Sequence, residues 1–338
     1  VGLEIEELEA KIYEQVGHKF NINSPSQLAS ILYKELSIKP QNSGVKRRKN
    51  HYSTDAEALR KIQHLHPVVR LVLEYRELAK LRNTYLEPLP RLIAADGRLH
   101  TTYAIDTATG RLSSKNPNLQ NIPIRTKLGK EIRKAFVAEE GYKLLAADYS
   151  QIELRVAAYL SGDREMNKIF QEGRDIHRAT AEELGVDRRM AKVVNFSILY
   201  GVSSYGLGES LKIPSEEAQL LIDKYFLAFD ELKKYIDQTI KSAEENGYVE
   251  TMFGRRRQVP ELQSPFRQQR SFGERVAVNT PIQGSAADII KLAMLEIPKK
   301  FPAEVSIKNQ VLSKKESRSI ILNTKYQILD TAKSAKLI

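Results

Sequence analysis

The stretch DRRMAKVVNFSILYG, residues 187–201, combines a helical pattern of apolar residues with an ordered row of cations and aromatic rings. Every fourth residue belongs to this row, which keeps to one side of an α-helix: Arg188, Lys192, Phe196 and Tyr200. Cations occupy its first half and aromatic rings its second. That order suits a bound nucleotide, with the triphosphate at the cations and the sugar and base against the rings. In the alternative, the rings face a core and the cations are bystanders.

A second stretch, AADYSQIELRVAAYLSGD at residues 146–163, places two carboxylates where an apolar-periodic segment normally avoids charge. The overlapping YKLLAADYS predicts a buried strand that ends at Asp148, and QIELRVAAYLSG predicts a helix that carries Glu153. A carboxylate at the end of a buried strand is costly without a cation. A hard ion such as Mg²⁺ binds one or two carboxylates together with substrate phosphates, so Asp148 suits phosphoryl transfer. The open alternative is that Asp148 only caps the helix.

The composition is that of a globular protein with a polyanionic partner. The 338 residues are 41% hydrophobic, and 53 Lys and Arg exceed 42 Asp and Glu, which gives a formal net charge of +11. Such a surplus indicates nucleic acid or an anionic membrane surface, or it only improves solubility. We favour nucleic acid, since no apolar run is long enough to span a bilayer. The absence of Cys excludes disulfides, thiolate metal sites and thiol catalysis, and it fits a reducing cytosol.

Residues 1–95 have the pattern of a helical region that contains one basic loop. Ser24 as N-cap and Pro25 at the first helical position predict one helix start, and Thr54 with Glu57 predicts another. The polar loop PQNSGVKRRKNHYS lies between these two starts. The loop is either an ordinary solvated connection or a segment that binds a phosphate backbone without base specificity. Its cations are Lys46, Arg47, Arg48 and Lys49.

The middle of the chain combines a strand signal with a loop rich in amides. The stretch RLHTTYAI has an alternating residue pattern and contains β-branched residues, which predicts a strand. In the loop that follows, Asn118 and Asn121 lie between Arg111 and Arg125 on a path stiffened by prolines. Such groups on a rigid loop can hydrogen-bond base edges and sugars in a minor groove, although surface loops are rich in Asn and Pro in any case. His177, further along, is either another phosphate donor or an ordinary half-exposed histidine.

Four segments occur in an order that resembles a known family: TATGRLSSKNPNLQNIPIRT, DYSQIELR, RRMAKVVNFSILYG and VNTPIQGSAADIIKLAM. Together they are similar to the polymerase region of bacterial-type family A DNA polymerases, the DNA polymerase I family. The resemblance extends from near the N-terminus to about Met294. Several long motifs in order are far more specific than one short match.

The resemblance implies a helix-rich α+β fold shaped like a right hand, with a helical thumb, helical fingers and a palm that carries an antiparallel sheet. We expect the thumb at residues 1–95, the first part of the palm at 96–165, the fingers at 166–262 and the second part of the palm at 263–296. Residues 297–338 form an atypical basic tail, which leaves the palm incomplete.

The resemblance also implies a role for each matching site residue. Asp148 matches the first metal ligand, and Glu153 matches the glutamate that blocks a ribose 2′-OH. Phe196 faces the incoming sugar, where an aromatic ring without a hydroxyl disfavours dideoxynucleotides, and Tyr200 lies at the templating base. The triphosphate is bound by His177, Arg188 and Lys192. The matching primer-template contacts are Arg111, Asn118, Asn121, Arg125, Asn279 and Gln283, and Arg275 lies beside them. From their charge alone, we also expect DNA contacts from Lys46, Arg47 and Arg48 of the basic loop.

The implied reaction is template-directed DNA synthesis with two Mg²⁺ ions. One ion lowers the pKa of the primer 3′-OH and the other holds the triphosphate and the leaving pyrophosphate. Asp148, Lys192 and Arg188 are the expected catalytic residues, with the two cations brought onto the phosphates as the fingers close. The expected partners are primer-template DNA and dNTPs, without a membrane. A monomer in the cytoplasm, associated with the nucleoid, is expected.

The tail departs from the family pattern, which calls for a hairpin bearing His-Asp-Glu whose aspartate is the second metal ligand. No His follows His177, and the only Asp after Asp288 is Asp330, beyond the expected place. Pro298 also predicts an interruption of the helix that the family would continue. We favour a shifted reading frame soon after Met294. Two alternatives stay open: a diverged tail in which Glu304, Glu316 or Asp330 is the ligand, and a module that binds primer-template without extending it.

Overall fold

The computed structural model describes residues 1–40, 45, 52–124, 126–138, 144 and 146–300, apart from the side chains of 298 and 300. The chain divides into two compact units. Unit one comprises Val1–Thr102 and Lys115–Val137, and unit two comprises Tyr103–Ser114 and the residues from Ala138 onward. Among the described residues, no helix is both long and apolar enough to cross a bilayer.

Unit one is a helical unit built on a core of Ile, Leu and Val side chains. Its helices are α1 (Gly2–Val16), α2 (Pro25–Ser30), α3 (Ala56–Ile62), α4 (Pro67–Leu81), α5 (Pro88–Arg91) and α6 (Lys127–Lys134), with π-helical turns at Ile31–Glu35 and Arg82–Leu86. Ile12, Leu28, Leu32, Leu59 and Val72 are among its fully buried side chains. The helical periodicity of the first 95 residues is therefore confirmed.

One of the two predicted helix starts in unit one is confirmed, and the other is wrong by one residue. The Ser24 hydroxyl accepts a hydrogen bond from the Gln27 amide, and Pro25 occupies the first turn of α2. The second helix is capped by Asp55, whose carboxylate accepts from the Ala58 amide at 2.8 Å, and not by Thr54. Both residue types cap well, and a carboxylate also favours the positive end of the helix dipole.

Unit two contains eight helices within its described residues, and the sheets are small. Strands β1 (Thr102–Ala104) and β2 (Ser113–Lys115) pair where the chain passes between the units, so the strand signal of RLHTTYAI yields three residues of strand. The helices are α7 (Ile152–Ser161), α8 (Arg164–Gln171), α9 (Ile176–Leu184), α10 (Arg188–Leu199), α11 (Ser204–Leu211), α12 (Ser215–Ala228), α13 (Asp230–Asn246) and α14 (Arg267–Lys300). The antiparallel hairpin β3 (Tyr248–Glu250) and β4 (Arg256–Gln258) precedes a 3-10 turn at Pro260–Gln263.

The helices of unit two pack around one large core and are started by local caps. Fully buried side chains of this core include Leu154, Met166, Ile176, Tyr225 and Phe229. Asp163, itself fully buried, accepts hydrogen bonds from the amides of Met166 and Leu232 and so caps α8 while also binding the first turn of α13. Burial raises the pKa of Asp163. Asp163 thereby joins the start of α8 to the start of α13.

Two sequence predictions about unit two are wrong. Asp148 does not end a buried strand: residues 146–149 are irregular and Asp148 is exposed. Leu144 forms an isolated bridge, and the other residues of the predicted strand before Ala146 lie outside the described residues. Asp148 does not cap α7 either, since that helix follows Gln151 in a left-handed conformation without a side-chain cap. In addition, α14 runs past Pro298 to Lys300, where we predicted an interruption.

Candidate functional site

Helix α10 presents the predicted row of cations and rings, and α9 adds a histidine to it. Arg188 and Lys192 are exposed, whereas Phe196 and Tyr200 are half-buried. The ring centroids of Phe196 and Tyr200 lie 6.0 Å apart in a stacked arrangement, and the His177 ring is 5.7 Å from Phe196. The rings therefore form a continuous aromatic row that starts beside the two cations.

The two cations differ in their surroundings. The Arg188 guanidinium donates two hydrogen bonds to one carboxylate oxygen of Asp175, at 2.6 and 3.1 Å. Burial opposes ionisation of Asp175, but the bond from Arg188 and the amides of His177 and Arg178 outweigh it and lower the pKa. Lys192 has no ion-pair partner among the residues that the structure describes. Lys192 can therefore bind an anion directly. Arg188 can do so only if it also keeps its bonds to Asp175 or gives them up.

Glu153 is a buried carboxylate that two other segments hold. It lies in the first turn of α7, where Arg111 of the loop between β1 and β2 forms an ion pair with Oε1. The Tyr200 hydroxyl donates to Oε2 at 2.8 Å. Burial and this hydrogen bond raise the pKa of Tyr200 to about 12. Sequence reasoning missed this triad, since its members are far apart in the chain and no local pattern links them.

Arg255, which sequence reasoning missed, fixes the loop that carries Arg111. Its Nε donates to Oδ1 of Asp288 at 3.1 Å, and its terminal nitrogen donates to the carbonyl of Thr109 at 2.9 Å. Gly110 has a φ of +76°, and a Cβ there would lie 2.6 Å from the Arg255 guanidinium carbon. The guanidinium therefore fills the space that a side chain at Gly110 would occupy. Gly110 directly precedes Arg111, which forms the ion pair with Glu153.

Three further predicted residues follow one another along α14. Arg275 is exposed, and Asn279 and Gln283 are half-buried, at steps of four. The Arg275 guanidinium lies 5.8 Å from the centroid of the Phe272 ring. A Cβ at Gly201, which directly follows Tyr200, would lie 2.9 Å from Cγ of Arg275. This face of α14 thus meets the end of the aromatic row.

The other predicted nucleic-acid contacts lie apart from these. Asn118 and Asn121 belong to unit one, where they line a cavity of about 450 Å³ together with Lys80 and Tyr85, two residues that we did not predict. The Tyr85 hydroxyl donates to the carbonyl of Asn121. Four predicted contacts lie outside the described residues: Lys46, Arg47, Arg48 and Arg125.

The described carboxylates include one cluster, but it does not suit a metal ion. Oxygens of Asp163, Asp230 and Glu231 lie within 4.8 Å of one another. Both oxygens of Asp163 already accept backbone hydrogen bonds, and burial raises its pKa. Asp148 is not part of this cluster, and its exposed carboxylate forms no ion pair within the described part of the chain. It can serve as one of the one or two carboxylates that Mg²⁺ uses beside substrate phosphates.

Comparison with known proteins identifies the family of the chain. The profile of DNA polymerase family A matches residues 1–314, which extends past the end that we placed near Met294. The chain therefore belongs to DNA polymerase family A. It is 50% identical over 305 residues to the thermostable DNA polymerase I of Thermus filiformis, with 87% of this chain and 36% of that protein covered. It is 49% identical over 313 residues to DNA polymerase I of Deinococcus radiodurans, with 89% and 32% covered.

A solved structure supports the fold as well. The POL domain of Pol1 from M. smegmatis, in complex with DNA primer-template and dNTP, matches with a TM-score of 0.82 and 41% identity, covering 88% of this chain and 54% of that chain. The chain spans about a third of the length of the two curated relatives. The helix-rich fold with small antiparallel sheets is thus the fold of a polymerase domain.

Replacement of Gly110 tests whether Arg255 fixes this loop. Gly110→Ala should lower the free energy of unfolding by about 1–3 kcal/mol more than Gly97→Ala, because the new methyl group must displace the guanidinium from Asp288 and Thr109. Gly97 is the matched control, since its φ is +75° and a Cβ there meets nothing within 4 Å. Chemical denaturation of both variants measures the difference, and equal losses would show that Arg255 does not constrain Gly110.

Proposed function

We propose that the chain carries out template-directed DNA synthesis, transferring deoxynucleotides from dNTPs to a primer 3′-OH. The observation that carries this proposal is the row from Lys192 through Phe196 to Tyr200, joined at its end to the buried Glu153. It offers an anion-binding end and an aromatic end at the spacing of a nucleotide. The family membership of the chain and the primer-template and dNTP bound by the M. smegmatis relative support the same reading.

In this proposal, different residues of unit two bind different parts of the nucleotide. Lys192 and Arg188 bind the triphosphate, and His177 donates to one of its oxygens. Phe196 packs against the sugar, and Tyr200 lies at the templating base. The 3′-oxygen of the primer attacks the α-phosphorus, and the bond from that phosphorus to the bridging oxygen breaks as pyrophosphate leaves. Neutralisation of the pyrophosphate by the cations favours this step.

The Glu153 carboxylate excludes ribonucleotides in this account. Arg111 and Tyr200 fix its position, so that it cannot rotate away from a 2′-hydroxyl at low cost. Arg275, Asn279 and Gln283 on α14, with Asn118 and Asn121, would bind the primer-template, as would Lys46, Arg47, Arg48 and Arg125. The three residues of α14 would place a base pair against the aromatic row.

Magnesium would be held by Asp148 together with the phosphates of the nucleotide. When bound, it supplies a lowered pKa for the 3′-hydroxyl and positive charge for the triphosphate. The family pattern requires a second aspartate in a later hairpin, and the only Asp after Asp288 is Asp330, beyond the expected place. This observation favours one alternative function, which is binding of primer-template DNA without extension.

Primer extension with a single nucleotide distinguishes the two functions. The 338-residue chain should incorporate the templated dNTP with Mg²⁺ or Mn²⁺, and Asp148→Ala should abolish incorporation while leaving primer-template affinity unchanged. Asp230→Ala is the control, because it removes an exposed carboxylate away from the row. DNA binding that weakens with salt, without incorporation in any metal, would contradict synthesis and leave the binding function.

Selection of the sugar gives a second test. Glu153→Ala should raise incorporation of ribonucleotides relative to deoxynucleotides by about a hundredfold, since a 2′-hydroxyl would then meet open space instead of a fixed carboxylate. The ratio of kcat/KM for a dNTP and its matching rNTP measures this. An unchanged ratio in an active Glu153→Ala protein would refute the role of Glu153.

A further inference from the structure

His177 is buried within a polar network whose centre is Asn195, a residue with no assigned role. Asn195 lies on α10 between the faces that meet α9 and α12, and it is fully buried. Its amide nitrogen lies 3.3 Å from Nδ1 of His177 and 3.0 Å from the Thr180 hydroxyl. The Tyr225 hydroxyl, also fully buried, lies 3.1 Å from its amide oxygen.

The neighbours of Asn195 determine which way its amide points. The amide nitrogen lies 2.9 Å from the carbonyl of Ala191, which can only accept a hydrogen bond. A reversed amide would place two acceptor oxygens against each other. The Thr180 hydroxyl donates to the carbonyl of Ile176 at 2.8 Å, so it is free to accept from Asn195. The nitrogen therefore faces both Ala191 and His177 as a donor.

This orientation fixes the position of the proton on His177. Nδ1 of the ring faces an N–H group, so Nδ1 accepts and carries no proton, and one amide proton is shared between Nδ1 and the Thr180 hydroxyl. Burial lowers the pKa of His177; Asp175 opposes this, and the charges of Arg188 and Lys192 reinforce it. A neutral imidazole has one proton, which must then lie on Nε2.

The Nε2 edge is the part of the ring that can reach a ligand. Nε2 has no hydrogen-bond partner among the described residues, and it is not one of the fully buried polar atoms that lack one. The small exposed fraction of His177, 3%, therefore includes this edge. This burial corrects the expectation of a half-exposed histidine. The ring lies beside Phe196 and within range of the charges of Arg188 and Lys192.

We propose that Asn195 is a positioning residue, which holds the neutral ring of His177 with its proton on Nε2 so that His177 donates a hydrogen bond to a phosphate oxygen of the nucleotide. The inference rests on the proposed function, since the phosphate is that of a bound dNTP. Without the donor at Nδ1, the ring could carry its proton on the side that faces away from the ligand. Nε2 would then be an acceptor, which repels a phosphate oxygen.

Nitrogen NMR on the 338-residue chain labelled with ¹⁵N-histidine tests the tautomer directly. The His177 signals, assigned by their loss in His177→Gln, should show an unprotonated Nδ1 and a protonated Nε2 at pH 7.5 to 8.5, above the ordinary pKa of histidine. Added inorganic tripolyphosphate should shift the Nε2 signals. A protonated Nδ1, a mixture of tautomers, or no response to tripolyphosphate would overturn the proposal. Primer extension judges the proposed function separately.

Asn195→Asp tests the link between the amide and the tautomer. A carboxylate only accepts, so Nδ1 should become protonated and the pKa of His177 should rise. Below this raised pKa the ring is cationic and Nε2 still donates, whereas above it Nε2 loses its proton. Relative to wild type at each pH, tripolyphosphate affinity should therefore be close to normal at pH 6 and weaker by about tenfold or more at pH 8.5.

The controls separate this effect from a general loss of structure. Tyr225→Phe removes a hydrogen bond from the same amide but leaves its nitrogen against Nδ1, so it should keep the wild-type tautomer. Its tripolyphosphate affinity relative to wild type should then be the same at pH 6 and at pH 8.5. Asp175, Arg188 and Lys192 are the other charged groups near the ring, and they are present in the wild type and in both variants. An equal pH dependence in Asn195→Asp and Tyr225→Phe would contradict the positioning role, and the wild-type spectrum tests it without any variant.

Discussion

The buried carboxylate of Glu153 is the constraint on which the site depends. An unpaired carboxylate in this position would be costly, so α7 can bury Glu153 only where Arg111 and Tyr200 both reach it. This requirement brings together the β1–β2 loop, the start of α7 and the end of α10. Arg255 extends the same network, because it binds the carbonyl next to Gly110 and the carboxylate of Asp288 on α14. The Tyr200 end of the row is thereby held by contacts within the chain.

The cationic end of the row is held by different contacts. Asp175 holds Arg188 through two hydrogen bonds and also accepts from the first amides of α9, so helix start and cation are positioned by one carboxylate. Asn195 orients His177 from the buried side of α10. Lys192 stays exposed. One end of the row is therefore rigid and desolvated, while the other keeps an exposed charge to attract a polyanion.

The sequence predicted the features of the site that depend on neighbouring residues. The steps of four from Arg188 to Tyr200 were sufficient to place the row on one helix, because helical periodicity is a local property. The cap at Ser24 was predicted for the same reason. The family motifs also identified Asp148 and the residues of α14 as expected site residues, although their contacts with a ligand stay predictions.

What the sequence could not predict depends on contacts between distant segments. A strand was expected up to Asp148, but residues 146–149 are irregular, and a local pattern does not show which distant segments a strand pairs with. The pairs Arg111 with Glu153 and Arg255 with Asp288 join residues more than thirty positions apart, and no spacing rule indicates them. The role of Asn195 depends on three helices that meet at one buried amide.

The most direct test of this account is a double-mutant cycle through Glu153. Free energies of unfolding would be measured for the wild type, Arg111→Ala, Tyr200→Phe and the double variant. Because both side chains bind the same buried carboxylate, the two losses should deviate from additivity by about 0.5–3 kcal/mol. Additive losses would mean that Arg111 and Tyr200 do not act on a shared group, and the site would then lack the constraint proposed for it.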